Sequence, residues 1–166
     1  MRFDSVEGVR FDGLLRYHVD EHSFSFDVSS PADLAHAMGD EGVTSVVIDT
    51  LQIEVGVSTH RAMYVWGYHP RSAWEERPLP RPSTRPGGVI IAAQEIFEMG
   101  VSEPVPGEEG WKTVFDPSNG WIRVAPDEEA DDEMVEVATG VVLGRRGQDL
   151  HSVWLHPVYE DGADAY

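Results

Sequence analysis

The strongest pattern in the chain lies in residues 46–68, which read VVIDTLQIEVGVSTHRAMYVWGY. From Leu51 to Val57 every second residue is apolar, which is the period of a strand with one buried face. A polar break that contains glycine separates this run from a second one rich in aromatic residues. We therefore expect a hairpin on which the rest of the chain packs. Asp49 and Thr50 predict a bulge at which the buried face switches.

The return run of this hairpin carries an aromatic stripe. Tyr64, Trp66 and Tyr68 share one face of the predicted strand, and Trp74 follows six residues later. If a helix covers this face, the side chains belong to the core and each stabilises the fold by roughly 1.5–3 kcal/mol. If the face is open, the same side chains form a patch of the kind that anchors protein interfaces.

The chain as a whole predicts an α+β fold, a twisted and mainly antiparallel sheet built from hairpins with one or two short helices packed on it. Residues 89–99 fit either a second helix, which we favour, or a short strand over residues 89–93. Further strands are expected where apolar runs flank turn signals, within residues 9–28, 111–115, 121–124, 134–143 and 150–158.

The clearest helix signal starts at Ser30, a natural N-cap residue. Pro31 suits the first helical position, and Asp33 completes a capping box near the positive end of the helix dipole. Gly39 supplies the left-handed residue that ends such a helix. Because two turns of helix are not stable alone, we expect this helix to dock on the sheet.

Length and composition predict a single domain over residues 1–159 and a flexible C-terminal tail over residues 160–166. No apolar run reaches about 18 residues, and the first residues lack an apolar core, so neither a membrane span nor a secretory signal is expected. The chain has no cysteine, which excludes disulfides and thiolate chemistry. The expected location is cytoplasmic.

The chain is strongly acidic, with 12 basic and 30 acidic residues and a formal net charge of −18. Such a charge repels nucleic acids and anionic membranes and attracts basic proteins. We therefore expect a basic protein partner, no nucleic acid and no membrane. Solubility or adaptation to salt is the alternative explanation. Lys112 is the single lysine, a bias typical of a GC-rich genome such as that of an actinobacterium.

Few residues form a pattern that carries chemistry. His18, Glu21 and His22 match H-x-x-E-H, a zinc-binding pattern that requires a helix. Strand-like flanks favour a polar turn at this position, so no metal is expected there. The chain has no P-loop, no G-x-G-x-x-G and no G-x-S-x-G, and no cofactor is expected.

Two long segments look irregular. Prolines interrupt residues 69–88, which also hold the only basic stretch, and predict a long loop. Residues 127–133, DEEADDE, lack the glycine and the spacing of a calcium loop and are expected to be a solvated charge run. His151 and His156 lie five residues apart on a predicted strand and should point to opposite faces.

Residues 29–64 carry a resemblance to a known family. S-S-P-x-D-L opens a short helix at Ser29, L-x-I-x-V-G-V forms a strand from Leu51, and an aromatic strand returns through Tyr64. This order resembles the small immunity proteins of actinobacterial polymorphic-toxin systems and covers about a quarter of the chain. The resemblance implies a cytosolic protein without enzymatic activity that binds and blocks a toxin domain, often a nuclease or a deaminase.

Three functions remain open. The first is an acidic, non-enzymatic binding protein of immunity type that neutralises a basic toxin or nuclease-like partner. Its expected interface consists of Glu54, Tyr68, Arg71, Trp74, Glu75 and Glu76. The second is an enzyme or small-ligand binder with a pocket between the sheet and residues 70–86, formed by Trp66, His69, Arg71 and Trp74. The third is a mimic of nucleic acid, in which carboxylates imitate phosphates.

Overall fold

A computed structural model describes residues 1–93 and 96–161 of the protein. The fold is mostly β, with 50% of the residues in strands and 9% in helices, so the predicted α+β class is wrong. The described residues contain one α-helix, α1 (Pro31–Met38), and two short 3-10 turns, Arg71–Ala73 and Glu108–Gly110. The strands are β1 (Arg2–Val6), β2 (Gly13–His18), β3 (Ser23–Val28), β4 (Val43–Ile48), β5 (Leu51–Gly56), β6 (Ala62–Tyr68), β7 (Glu75–Glu76), β8 (Arg85–Pro86), β9 (Gly88–Ala92), β10 (Glu103–Pro104), β11 (Lys112–Phe115), β12 (Ile122–Ala125), β13 (Glu133–Ala138), β14 (Val141–Arg146), β15 (Asp149–Leu155) and β16 (Val158–Glu160).

The strands form three sheets. The first sheet has the order β10-β4-β5-β6-β3-β2-β16, the second has the order β7-β11-β12-β15-β14-β13-β8, and β1 pairs with β9 in a third. Both seven-stranded sheets end on each side in a strand of two or three residues that pairs in parallel. Such short edges leave few unpaired backbone groups, which discourages pairing with a second chain.

One continuous apolar core connects the sheets. Tyr17 and Ile53 of the first sheet and Leu143 and Leu155 of the second are fully buried in it, together with Phe3 of β1. β2 buries alternate residues, as in a half-buried strand, whereas Leu150 to Leu155 of β15 are buried without a break. In β2 the core therefore decides which side chains point outward.

The predicted second helix is wrong where the structure describes it. Residues 88–92 form β9, which pairs antiparallel with β1, so the alternative of a short strand is confirmed. Gln94 and Glu95 of the expected helix lie outside the described residues. The apolar run from Val89 to Ile91 is too short to distinguish a helix from a strand by its period, and pairing with β1 decides between them.

Two apolar runs that looked like single strands each fold into two. Asp49 and Thr50 form a tight turn between β4 and β5, with Ile48 paired to Leu51, so the predicted bulge is wrong. The expected strand over residues 134–143 is divided into β13 and β14 by a turn at Gly140. Both turns contain a residue with positive φ, 54° at Asp49 and 75° at Gly140. Because of the turn at Asp49, the expected central hairpin is a three-stranded meander of β4, β5 and β6.

The helix prediction is confirmed. The Ser30 hydroxyl accepts a hydrogen bond from the Asp33 backbone N–H at 3.2 Å, and Gly39 ends the helix with φ of 73°. The helix docks on the end of β5, where a Cβ at Gly56 would lie 2.8 Å from the Ala37 carbonyl oxygen. Glycine at this position allows the helix to approach the strand closely.

The proline-rich loop crosses the second sheet. Its ends form β7 and β8, which lie at opposite edges of that sheet. We call residues 77–84 between them the strap. Leu79 of the strap packs against an outer apolar cluster of Trp121, Val142 and Trp154, and its backbone N–H donates to the Asp116 carboxylate at 2.8 Å. The outer face of the second sheet is therefore covered.

Glu160, the first residue of the predicted tail, belongs to β16 and pairs with His18, whereas residues 162–166 of that tail lie outside the described residues. Over residues 1–93 and 96–161, no helix has both the length and the apolar character needed to cross a membrane.

The turn at Gly140 provides a test of this fold, with Gly147 as the control. Gly147 has φ of 59° and open space where a Cβ would lie. Gly147→Ala should therefore lower the free energy of unfolding by about 1–2 kcal/mol, from backbone strain alone. Gly140→Ala adds a contact of 2.8 Å with the His156 carbonyl oxygen to similar strain and should cost clearly more. Chemical denaturation of both variants measures the difference, and equal losses would contradict a tight turn between β13 and β14.

Candidate functional site

The outward side of the first sheet is open at its centre. Val65 and Ile53 pair with each other and are fully buried, whereas Trp66, next along β6, is 37% exposed and Tyr68 is 53% exposed. Trp66 pairs with Gln52 on the neighbouring strand. We call the outward side chains of Gln52, Glu54, Trp66 and Tyr68 the aromatic face. Of the two alternatives for the aromatic stripe, a covered or an open face, the structure shows the open one at Trp66 and Tyr68.

A carboxylate is buried within this face. Glu54 is only 9% exposed, and burial raises its pKa above the usual range, although a hydrogen bond from the Trp66 side chain opposes that shift. Burial, followed by the charge of Glu54, also raises the pKa of Tyr64. A carboxylate that is poorly solvated and lacks a cationic partner weakens the fold, and such groups occur often at functional sites.

The β2–β3 turn, which is acidic, lies against Tyr68. His22 of this turn contacts the Tyr68 ring edge-on at 6.2 Å between centroids, and Asp20 and Glu21 precede His22 in the same turn. Asp49 occupies the β4–β5 turn beside β6. Among the residues that the structure describes, no ion pair involves Asp20, Glu21, Asp49 or Glu54. The negative charge near the aromatic face is therefore not neutralised by arginines of the described chain.

A small cleft begins where β6 ends. It has a volume of about 300 Å³, and its lining includes His69, Trp74, Trp111 and Thr113. His69 is 5% exposed, with Nδ1 hydrogen-bonded to the Thr50 hydroxyl at 3.2 Å and Nε2 to the Thr113 hydroxyl at 2.7 Å. Burial lowers the pKa of His69 to about 4, and the charge of Asp49 only partly opposes this shift. The imidazole is therefore neutral near pH 7.

Trp74 and Arg71 are held by the core. The Trp74 ring lies 4.9 Å from that of Tyr17 and 5.8 Å from that of Phe115, and its buried indole nitrogen has no hydrogen-bond partner among the described residues. The Arg71 guanidinium stacks on the Phe115 ring, 4.6 Å from its centroid. Trp74 lines the cleft and Arg71 does not, and both residues are half-buried.

The structure divides the predicted site residues between two places. The first place is the cleft, which is lined by His69, Trp74 and Glu75. Tyr68 lies beside it at the end of β6, and Glu76 is exposed at the end of β7. Trp66 and Glu54 lie on the aromatic face and do not line the cleft. Of the residues proposed for a pocket, the cleft brings together His69 and Trp74, with ring centroids 5.9 Å apart.

The H-x-x-E-H pattern does not form a zincin site. His18 ends β2, and Glu21 and His22 lie in the turn that follows, so the helix that this motif requires is absent. His18 Nε2 instead bonds to the Ser25 hydroxyl at 2.7 Å. Within residues 1–93 and 96–161, no group of three histidine or acidic side chains could hold a metal ion.

The acidic run at residues 127–133 is only partly solvated, which corrects the expectation. His151 Nε2 bonds to Asp127 at 2.7 Å, and its Nδ1 bonds to Asp131 at 2.8 Å. Asp131 also accepts a hydrogen bond from the Ser152 hydroxyl at 2.7 Å. A bulge at His151, where Gly144 pairs with Ser152, turns both side chains toward Asp131.

Glu133, the last residue of that run, is also fixed. It accepts hydrogen bonds from Arg145, Ser5 and Arg85, which together lower its pKa to about 2. His156 stacks on Trp121 at 4.7 Å and does not approach His151. Sequence reasoning missed the His151 cluster because its members lie 20 and 24 residues apart, with no local spacing that marks them.

Comparison with known proteins provides no family for this chain, since no family model matches it and no curated protein does. Function therefore has to be argued from the site.

Acid stability tests the burial of His69. Its folded pKa of about 4 lies below the unfolded value near 6.5, so the unfolded state binds the extra proton between these values. The contribution of His69 to stability is complete above pH 6.5 and should decrease by about 3 kcal/mol as the pH falls toward 4. Denaturation of wild type and His69→Gln across this range should show the loss in wild type alone. Exposed His36 supplies the control, because His36→Gln should retain the wild-type profile; a profile equally steep in His69→Gln would contradict the assignment.

Stability also tests Glu54. Because its folded pKa is raised, the folded state binds a proton more readily than the unfolded state, and the charged side chain opposes folding at pH 7. Glu54→Gln should therefore increase the free energy of unfolding at pH 7, and the gain should disappear at and below about pH 4.5. Glu76→Gln, at an exposed site on β7, should leave the stability unchanged. A destabilised Glu54→Gln variant would refute the unfavourable burial of this carboxylate.

Proposed function

We propose that this chain is an acidic, non-enzymatic binding protein of immunity type, which neutralises a basic toxin or nuclease-like protein in the cytoplasm. The observation that carries the proposal is the aromatic face, where Trp66 and Tyr68 are exposed beside unneutralised carboxylates. Residues 29–64, which resemble the immunity proteins, include Glu54 and Tyr64 and end two residues before Trp66.

Packing supports this choice of surface. The outer face of the second sheet is covered by the strap, whereas the centre of the first sheet has no such cover at Trp66 and Tyr68 among the described residues. Burial of a large aromatic side chain stabilises a protein by roughly 1.5–3 kcal/mol, so an exposed tryptophan on a sheet forgoes much of that gain. Tryptophan and tyrosine are also the residues that most often dominate binding energy at interfaces.

Charge supports a basic partner. Glu54 is hydrogen-bonded to Trp66, and Asp20 and Glu21 belong to the turn whose His22 contacts Tyr68. In the described chain, neither these three carboxylates nor Asp49 has an ion-pair partner. Proteins that process nucleic acid present basic clefts, and complementary charge accelerates their capture. A protein with net charge −18 would be attracted to such a cleft over a Debye length of about 8 Å at physiological salt.

Geometry at the cleft supports binding over catalysis. A general base needs a nitrogen or oxygen free to reach substrate. Both ring nitrogens of His69 are already bonded to threonine hydroxyls. Both ring nitrogens of His151 are likewise bonded to carboxylates.

The proposal is tested with a basic protein domain encoded beside this chain. Trp66→Ala with Tyr68→Ala should weaken the complex at least about 30-fold, since hot-spot side chains contribute roughly 2 kcal/mol or more. Val9→Ala with Val158→Ala is the matched control, because these side chains are 79% and 50% exposed elsewhere. Calorimetry gives the affinities, and an assay of the partner's activity shows whether it is blocked.

Salt dependence supplies the second measurement. Association should slow several-fold when sodium chloride rises from about 0.15 to 0.5 M, because exposed charges are then screened. The proposal is refuted if every basic neighbour fails to bind. It is refuted equally if binding responds neither to salt nor to the two aromatic substitutions.

A second candidate function is small-ligand binding or enzymatic activity at the His69 cleft. Its supporting observation is a cavity of about 300 Å³ next to a histidine with a lowered pKa and a buried indole N–H that bonds to none of the described residues. Perturbed groups that converge on a cavity are typical of such sites. Loss of ligand binding or turnover in Thr113→Val would favour this candidate over the docking function.

A further inference from the structure

Two acidic residues, Asp116 and Glu54, are buried among those that the structure describes, and their surroundings differ. Asp116 accepts hydrogen bonds from the Ser118 hydroxyl and from the backbone N–H groups of Leu79 and Ser118, which lower its pKa. Glu54 has no such set of donors, and burial raises its pKa. The described side chain that bonds to it is that of Trp66. The cost of burying the Glu54 charge is therefore recovered only in part.

The neighbouring polar side chains do not supply the missing bonds to Glu54. Ser45 pairs with Glu54 across β4 and β5, but its hydroxyl donates to the Gln52 side chain at 2.9 Å. No arginine, lysine or histidine of the described chain forms an ion pair with Glu54. A carboxylate accepts up to about four hydrogen bonds, and 9% of the surface of Glu54 is still exposed. A donor from another molecule can therefore bond to it.

Trp66 narrows the chemistry of that donor. It is 37% exposed and hydrogen-bonded to Glu54, so an aromatic ring and a carboxylate border the same position on the aromatic face. An aromatic ring attracts a cation, and a poorly solvated carboxylate gains most from a charged donor. A guanidinium suits both groups, because it is flat enough to stack on an indole ring and presents paired N–H groups that match a carboxylate. An ammonium group has neither property.

We propose that Glu54 and Trp66 together receive one arginine side chain of the basic partner, with the guanidinium stacked on the indole ring and donating hydrogen bonds to the carboxylate. This assignment rests on the proposed docking function and names the partner side chain that the aromatic face recognises. The arginine supplies the positive charge that Glu54 lacks in the free protein. Glu54 therefore weakens the free fold and strengthens the complex, a combination that a purely structural residue does not show.

Opposite effects on stability and binding test this arrangement. Glu54→Gln should increase the free energy of unfolding at pH 7 and yet weaken binding of the basic domain encoded beside this chain at least about tenfold. Asp149→Asn is the matched control, because it removes one negative charge at an exposed position of β15 on the second sheet. Its affinity for the domain should stay within about twofold of wild type, since distant exposed charges are screened by salt.

A double-mutant cycle identifies the arginine on the partner. Each exposed arginine of the basic domain is replaced in turn by glutamine. One replacement should weaken wild-type binding at least about tenfold and weaken Glu54→Gln binding less than about twofold, because the pair is already broken in that variant. Lysine at the same position should bind at least about threefold more weakly than arginine, because it lacks the flat, paired donors.

A small probe tests the site without the partner. Titration with Nα-acetyl-argininamide should shift the Trp66 indole N–H resonance saturably in nuclear magnetic resonance spectra, and the spectrum of Trp66→Phe identifies that resonance. The neutral analogue Nα-acetyl-citrullinamide has nearly the same shape and should cause a shift at least about threefold smaller at the same concentration, because it carries no charge. Asp149→Asn should respond as wild type does, whereas Glu54→Gln should show the smaller shift with both compounds.

The possible failures are distinguishable. If the basic domain binds wild type and Glu54→Gln equally, the arginine assignment is wrong and the docking function stands. Equal affinity for arginine and lysine, or equal shifts by the two amides, would show that no guanidinium is recognised. If every basic neighbour fails to bind, the docking function is refuted, and the titration with Nα-acetyl-argininamide still decides whether Glu54 and Trp66 hold a guanidinium.

Discussion

The apolar core shared by the two large sheets is the constraint on which the rest of this structure depends. Burial of Ile53 and Val65 in that core requires their neighbours Glu54 and Trp66 to point the other way. A shift of one residue in β5 would place the Glu54 carboxylate inside, and a shift of one residue in β6 would place Val65 outside. The position of the aromatic face is thus a consequence of the core, even though its side chains contribute little to it.

The outer faces of the two large sheets differ in whether other residues cover them. On the second sheet, Leu79 of the strap covers Trp121 and Trp154. His151 holds the acidic run at residues 127–133 through hydrogen bonds to Asp127 and Asp131. On the first sheet, Trp66 and Tyr68 remain exposed. Covering a face stabilises the fold, whereas a face left open beside unpaired carboxylates is available to a partner. This contrast is the physical basis for placing the proposed docking surface on the first sheet.

Features that depend on neighbouring residues were predictable. The caps at Ser30 and Gly39 appear in the structure as expected. Leu51, Ile53 and Val55 are buried as the alternation predicts, but Glu54 and Gly56 on the other face are buried as well. The α+β class failed because the apolar run that begins at Val89 has no distinctive period and is drawn into a strand by β1. The runs around Asp49 and Gly140 were misread because a tight turn needs only one residue of positive φ, which hydrophobicity does not reveal. Of the site, the aromatic stripe was predicted, but not whether it would be covered.

The sequence by itself determined the buried side of β5 at Leu51, Ile53 and Val55, the ends of the helix and the strong negative charge, because each follows from residue type and from contacts within a few positions. Only the tertiary structure decided that Trp74 lies against Tyr17, that Asp127 and Asp131 hold His151, and that Trp66 is exposed. These results depend on which strands pair and which segment crosses which sheet. Such contacts join residues far apart in the chain, and their free energies become favourable only when the whole core has formed.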